Sequence, residues 1–130
     1  VFNTHLDHLG DTARIESVKL ILQKIKLLNE KSNYPVVFTG DFNSRPNEPA
    51  AQYVMSIFKN ARNISEQAPY GNIDTWNGFE FNKKPDGCID YIFINDEKKL
   101  KVKKFATITD SYEKKYPSDH FPVFAEMDIR

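Results

Sequence analysis

The stretch Tyr34–Pro46, YPVVFTGDFNSRP, runs from an apolar segment directly into an acid and an amide. Tyr34 to Thr39 has the length and composition of a buried strand. In an extended chain the side-chain period is two, so Asp41 and Asn43 face one way while Phe42 turns back toward the core. Pro46 and Pro49 then mark a loop. A carboxylate and a carboxamide side by side at the exit of a buried strand suit chemistry, although Asp and Asn also serve as plain turn residues.

Outward from this segment the chain alternates. Val1 to Leu6 reads as a strand. A helix follows, with Asp11 as its N-cap and Ile15, Val18, Ile21, Leu22, Ile25 and Leu28 as an apolar stripe at helical spacing. Pro49 suits the first turn of a second helix that turns Tyr53, Val54, Ile57 and Phe58 inward. Residues 60 to 88 carry Pro69, Gly71, Gly78, Pro85 and Gly87, and read as loops around a short extended piece from Asp74 to Asn77. Strands are expected at Ile89–Ile94, Val102–Thr109 and Phe121–Ile129, the last with clean alternation. The order predicts an α/β fold, one mixed sheet with helices on one face. The other face needs a cover from elsewhere, either a further part of the protein or self-association.

The bulk properties limit the reading. A chain of 130 residues with 40% hydrophobic content forms one globular domain, 1–130. Eighteen basic and eighteen acidic residues cancel, so the broad positive field of a nucleic-acid binder is missing. Cys88 stands alone and cannot form an internal disulfide. No apolar run approaches membrane-spanning length, and no targeting segment is visible. The chain opens inside a strand, VFNTHLDH, without methionine, which leads us to expect the C-terminal part of a longer protein.

Polar residues recur at the other strand ends. His5 closes the first strand, Asp90 is the only charge in CIDYIFIN, and Asp119 and His120 precede the last strand in SDHFP. Asp90 requires a partner, because a carboxylate on a buried strand is costly alone. If these ends meet, they form a site suited to phosphoester hydrolysis. A carboxylate can align a water and accept its proton. Imidazole and amide groups can stabilise charge on phosphoryl oxygens, and a hard cation takes carboxylate oxygens.

The ordered set NTHL, GDFNS, IDYIF and SDHFPV resembles the endonuclease/exonuclease/phosphatase superfamily, which includes DNase I-like nucleases, deadenylases and inositol polyphosphate phosphatases. The resemblance spans essentially the whole chain. It implies the C-terminal half of a four-layer α/β sandwich and a Mg²⁺-dependent phosphoesterase, with Mn²⁺ as a substitute. It further implies that Asp41 positions the attacking water, Asn43 helps hold the phosphate and Asp90 orients His120. Asp119 is the metal-associated carboxylate, and His5 contacts the phosphate. The family's N-terminal half carries an asparagine and a metal-binding glutamate, which have no counterpart here, so weak metal binding and little turnover are expected of this chain alone. NTHLDH and DTWNGF are similar to a bacterial metal-dependent hydrolase branch, which often has histidine where Asn77 stands.

Other residues permit two readings. Arg14, Trp76, Asn77 and Phe79 are candidates for substrate binding. Arg14 can equally serve a salt bridge and the aromatics loop packing. Asp7 and His8 read as the start of a loop, and Lys98 to Lys104 as a solvated edge strand. A non-catalytic interaction module that keeps the fold is the alternative function; the intact polar set argues against it.

Overall fold

The computed structural model describes residues 1–130. Its elements follow the order β1 (Phe2–His5), α1 (Asp11–Asn29), β2 (Val37–Asp41), α2 (Pro49–Met55), β3 (Lys59–Asn60), α3 (Ala61–Ile64), β4 (Asp90–Ile94), β5 (Leu100–Thr107) and β6 (Val123–Ile129). Four strands form a mixed sheet in the order β1-β2-β4-β3. β1 and β2 run parallel, with α1 as the crossover that such a pair needs. β4 lies antiparallel to both β2 and β3.

One face of the sheet is packed by the helices. Val18, Leu22 and Ile25 of α1 and Ala50, Ala51 and Val54 of α2 close over Phe38, Phe42, Tyr91 and Phe93. Phe42 is fully buried and meets Phe38, Tyr91 and Phe93 edge to face, with ring centres 5.0, 5.5 and 5.3 Å away. These geometries suit the ring quadrupoles and add to area burial.

The sheet's second face is less bare than the sequence reading expected. β5 and β6 do not extend the four-stranded sheet; they form their own antiparallel ribbon. That ribbon packs Leu100, Val102 and Phe105, with Val123, Ala125 and Met127, against Ile92 and Ile94. The end nearest Asn3, Thr39 and Asp41 forms an open depression of about 480 Å³.

Local departures have local causes. Gly10, not Asp11, occupies the N-cap of α1, in an extended conformation. The Asp7 carboxylate accepts the Gly10 N–H at 2.6 Å, so the acid that secures this entry comes from upstream. Leu28 is exposed near the end of α1, Tyr53 is on the outer side of α2, and Ile57 is exposed just past its end. The segment read as loops from residue 60 contains β3 and the single turn α3, whose N-cap Asn60 accepts the Arg62 N–H. Lys101 and Lys103 pair with Glu66, and Lys104 with Glu126, so these lysines of the 98–104 run are occupied by acids of the same chain. No helix is long and apolar enough to cross a membrane.

Candidate active site

Register builds the site. In the parallel pair His5 lies opposite Asp41, and in the antiparallel pair Asp41 lies opposite Asp90. Three polar residues from three neighbouring strands therefore form one row across the sheet, at the mouth of the open depression. Gly40 permits the close approach. It has φ +145°, and a Cβ there would run into the Thr4 carbonyl oxygen.

His120 joins the row from above. Its Nδ1 lies 2.8 Å from Asp90 Oδ2, and its Nε2 lies 3.7 Å from Asp41 Oδ2. His5 Nε2 approaches the same Asp41 oxygen at 3.4 Å. One carboxylate oxygen is thus flanked by two imidazoles. His5 is largely exposed, whereas the Asp41 and Asp90 side chains retain only 15% and 16% of their accessibility.

Asp41 and Asn43 are joined by a turn and not by the pleat, because β2 ends at Asp41. Asp41 Oδ1 accepts the Asn43 N–H at 2.8 Å, and Asn43 takes a left-handed φ of 45°. Asparagine tolerates that conformation better than most residues. One N–H of its amide is donated to Leu6 O at 2.9 Å; the other remains available.

The surroundings shift Asp41 and His120 in the same direction. Burial pushes the Asp41 carboxyl above its ordinary range. The Asn43 N–H works against that shift, the Asp90 charge adds to it, and the histidines oppose it. For His120, burial pulls downward, but the hydrogen bond and charge of Asp90, with Asp41 and Asp119 behind it, overcome this and hold the imidazole above its usual value. Both groups therefore bind protons more tightly in the folded chain than in the unfolded one. The His120 contribution to stability is complete below its unfolded value of about 6.5 and is lost as pH rises through its folded value. The Asp41 penalty starts near its unfolded 3.8 and grows until its own raised value is passed. Urea midpoints measured against pH should therefore fall less steeply for Asp41→Asn at the acidic end of this window and for His120→Gln at its upper end.

Asp41, Asp90 and His120 each offer a ligand atom within 4.8 Å of one another, a group able to hold a divalent metal ion. Magnesium prefers oxygen, and the His120 Nδ1 already faces Asp90, so the carboxylates are the better-suited donors. Asp119 lies outside this trio. Its carbonyl accepts the N–H groups of Asn77 and Gly78, and its charge acts on His120 from the preceding position.

The remaining candidates are divided. Arg14 is buried and spent within the fold, donating to Asp7 O and pairing with Asp11. Asn77 is also buried, donating to Ser118 O and accepting from Phe79 N, so its amide shapes the loop beneath His120. Trp76 is 43% exposed and bridges to His120 through the backbone, while Phe79 is exposed nearby in sequence. His8 is exposed, with Nδ1 4.0 Å from Asp7.

Two residues escaped the sequence reading. The Tyr91 hydroxyl lies 2.7 Å from both Ser44 O and Cys88 O, tying the exit of β2 to the entry of β4. Thr75 is buried and donates its hydroxyl to Asp90 Oδ2 at 2.6 Å. The only hint of Thr75 was its place in the short extended piece.

A profile of the Endonuclease/Exonuclease/phosphatase family matches residues 2–120. Comparison with curated protein sequences gave no match. Among solved structures, a mannosyl-6-phosphatase from Bacteroides thetaiotaomicron is 32% identical with a TM-score of 0.90; the alignment covers 98% of this chain and 50% of the phosphatase. A conserved protein of unknown function from Enterococcus faecalis is 33% identical with a TM-score of 0.86, over 98% of this chain and 49% of that one. The human Nocturnin catalytic domain, 21% identical with a TM-score of 0.72 over 98% of this chain and 46% of that one, shares the fold. The chain thus spans about half the length of these relatives. The profile match begins in β1 and reaches His120, the same span that carries the row of acids and imidazoles, and the chain belongs to the endonuclease/exonuclease/phosphatase family.

Proposed function

We propose that this chain carries the C-terminal half of a phosphoester hydrolase site that uses water as the nucleophile. The observation that carries the reading is the Asp41 carboxylate, flanked by His5 and His120, with Asp90 behind His120. Asp41 aligns the water and takes its proton, a task for which a carboxyl held above its ordinary range is suited. His120, kept cationic by Asp90, donates from Nε2 to a phosphoryl oxygen or to the leaving group. His5 Nε2 and the remaining Asn43 N–H hold the other oxygens.

Mg²⁺, or Mn²⁺ in its place, would be held by oxygens of Asp41 and Asp90, with Asp119 contributing from its edge. When bound, it would supply positive charge to the phosphoryl oxygens. Two carboxylates, one of which is already engaged by His120 and Thr75, make a sparse metal site. We therefore place the principal ligand in the part of the assembly that corresponds to the uncovered half of the relatives.

The substrate reading favours a small phosphoester over nucleic acid. The net charge is zero, and the structural relative at 32% identity is a mannosyl-6-phosphatase. Trp76, beside His120 in the backbone pairing, offers a face for the ring of a sugar or base.

The test is an assay with Mg²⁺ or Mn²⁺ against a sugar phosphate and a phosphodiester, using this chain alone and the chain extended at its N-terminus. Turnover is expected from the extended chain, little from the chain alone, and none from either with Asp41→Ala. Equal inactivity of both forms on both substrates would favour a non-catalytic module. Turnover that survives Asp41→Ala would refute the assigned water-activating role.

A further inference from the structure

Thr75 occupies an unusual position in the hydrogen-bond network. Its Oγ1 lies 3.2 Å from the backbone N–H groups of both Ile89 and Asp90 and accepts from them. A hydroxyl has two acceptor positions and one proton, so these two bonds leave only the proton to be placed. Two oxygens are in reach: Asp90 Oδ2 at 2.6 Å and Gly87 O at 3.3 Å. Gly87 O already accepts from the N–H groups of Thr75 and Trp76, at 2.9 and 3.2 Å. The shorter, charge-assisted bond takes the proton.

Asp90 Oδ2 consequently receives two donors, the Thr75 hydroxyl and His120 Nδ1. Thr75 reaches the histidine's side of the pair as well, because its carbonyl accepts the Phe121 N–H at 2.7 Å, one residue beyond His120. Side chain and backbone of one residue therefore set both members of the Asp90–His120 pair.

We propose that Thr75 is a positioning residue that locks the Asp90 carboxylate and with it one orientation of the His120 ring, Nε2 toward Asp41: cationic His120 then donates from Nε2, and neutral His120 keeps its proton on Nδ1. A carboxylate without this second donor can rotate about its terminal torsion, which is broad and roughly two-fold. The imidazole then loses its single orientation. The catalytic consequence rests on the hydrolase reading given above; the tautomer does not.

The test combines nitrogen-15 NMR of this chain with kinetics of the extended one. In the unaltered chain the Thr75 hydroxyl proton should exchange slowly enough to be observed, and neutral His120 should show the Nδ1–H form alone. Thr75→Val should give a tautomer mixture, and Thr75→Ser should restore the single form. In the extended chain, Thr75→Val should lower kcat about 10- to 100-fold, as loss of an outer hydrogen-bond partner does elsewhere, with KM within about twofold. A valine variant with the Nδ1–H form intact would overturn the proposal. So would a rapidly exchanging Thr75 hydroxyl in the unaltered chain, a result that needs no variant to fold. An inactive unaltered extended chain would instead count against the hydrolase reading, leaving the NMR result to stand or fall separately.

Discussion

Asp41→Asn is expected to lower kcat of the proposed hydrolase, assayed in the extended chain, about a thousandfold while leaving the folded chain more stable at neutral pH. The kinetic loss follows from removing the group to which we assign the water's proton; positioned bases contribute about 10²- to 10⁴-fold. KM should change little, since asparagine keeps the shape of the side chain and can still accept the Asn43 N–H. The stability gain has a different origin. The native carboxyl is disfavoured as an anion by burial and by Asp90 across the strand pair, and a neutral amide removes both costs. A gain of roughly 0.5–2 kcal/mol is the usual size for a stabilising substitution of this kind. Urea unfolding at pH 7 beside steady-state kinetics measures both effects. A variant as active as the original, or one less stable than it, would contradict this account of the site.

Phe42→Ala is expected to have the largest effect on the fold, about 3–5 kcal/mol for loss of a buried aromatic ring. Phe42 lies between Asp41 and Asn43, is wholly buried, and touches three aromatic rings. A loss of that size is a large part of the roughly 5–15 kcal/mol that holds a typical domain together. Chemical denaturation should show an earlier midpoint, and native-state NMR should show disturbed signals at Asp41 and Asn43, whose backbone Phe42 anchors. Retention of the original midpoint would mean that the aromatic cluster is not the core's centre.

The parts of this molecule that were legible in the sequence are those that depend on period and on chain punctuation. The inward turn of Phe42, the stripe from Val18 to Ile25, and the polar ends at His5, Asp41, Asp90 and His120 were legible for that reason. What was missed depends on partners. Thr75 has no special spacing; its importance comes from the two backbone N–H groups and the carboxylate it meets some fourteen residues on. Arg14 and Asn77 looked available because nothing in a sequence shows that Asp7, Ser118 and Phe79 already occupy them. The separate ribbon of β5 and β6 was equally hidden, since alternation identifies a strand without naming the sheet it enters.

His5, Asp41 and Asp90 share a row because the strands pair in that register, so the distances within the row are set by the rungs of a ladder and not by the segments that link its rails. Connections that hold none of the row's partners, such as the one between β4 and β5, can then change length and composition while the row stays where it is. On the hydrolase reading proposed above, that separation lets one centre be refitted with new surroundings. The same arrangement has no tolerance in the rails themselves. A single residue gained or lost within β2 would turn Phe42 outward and carry Asp41 into the core.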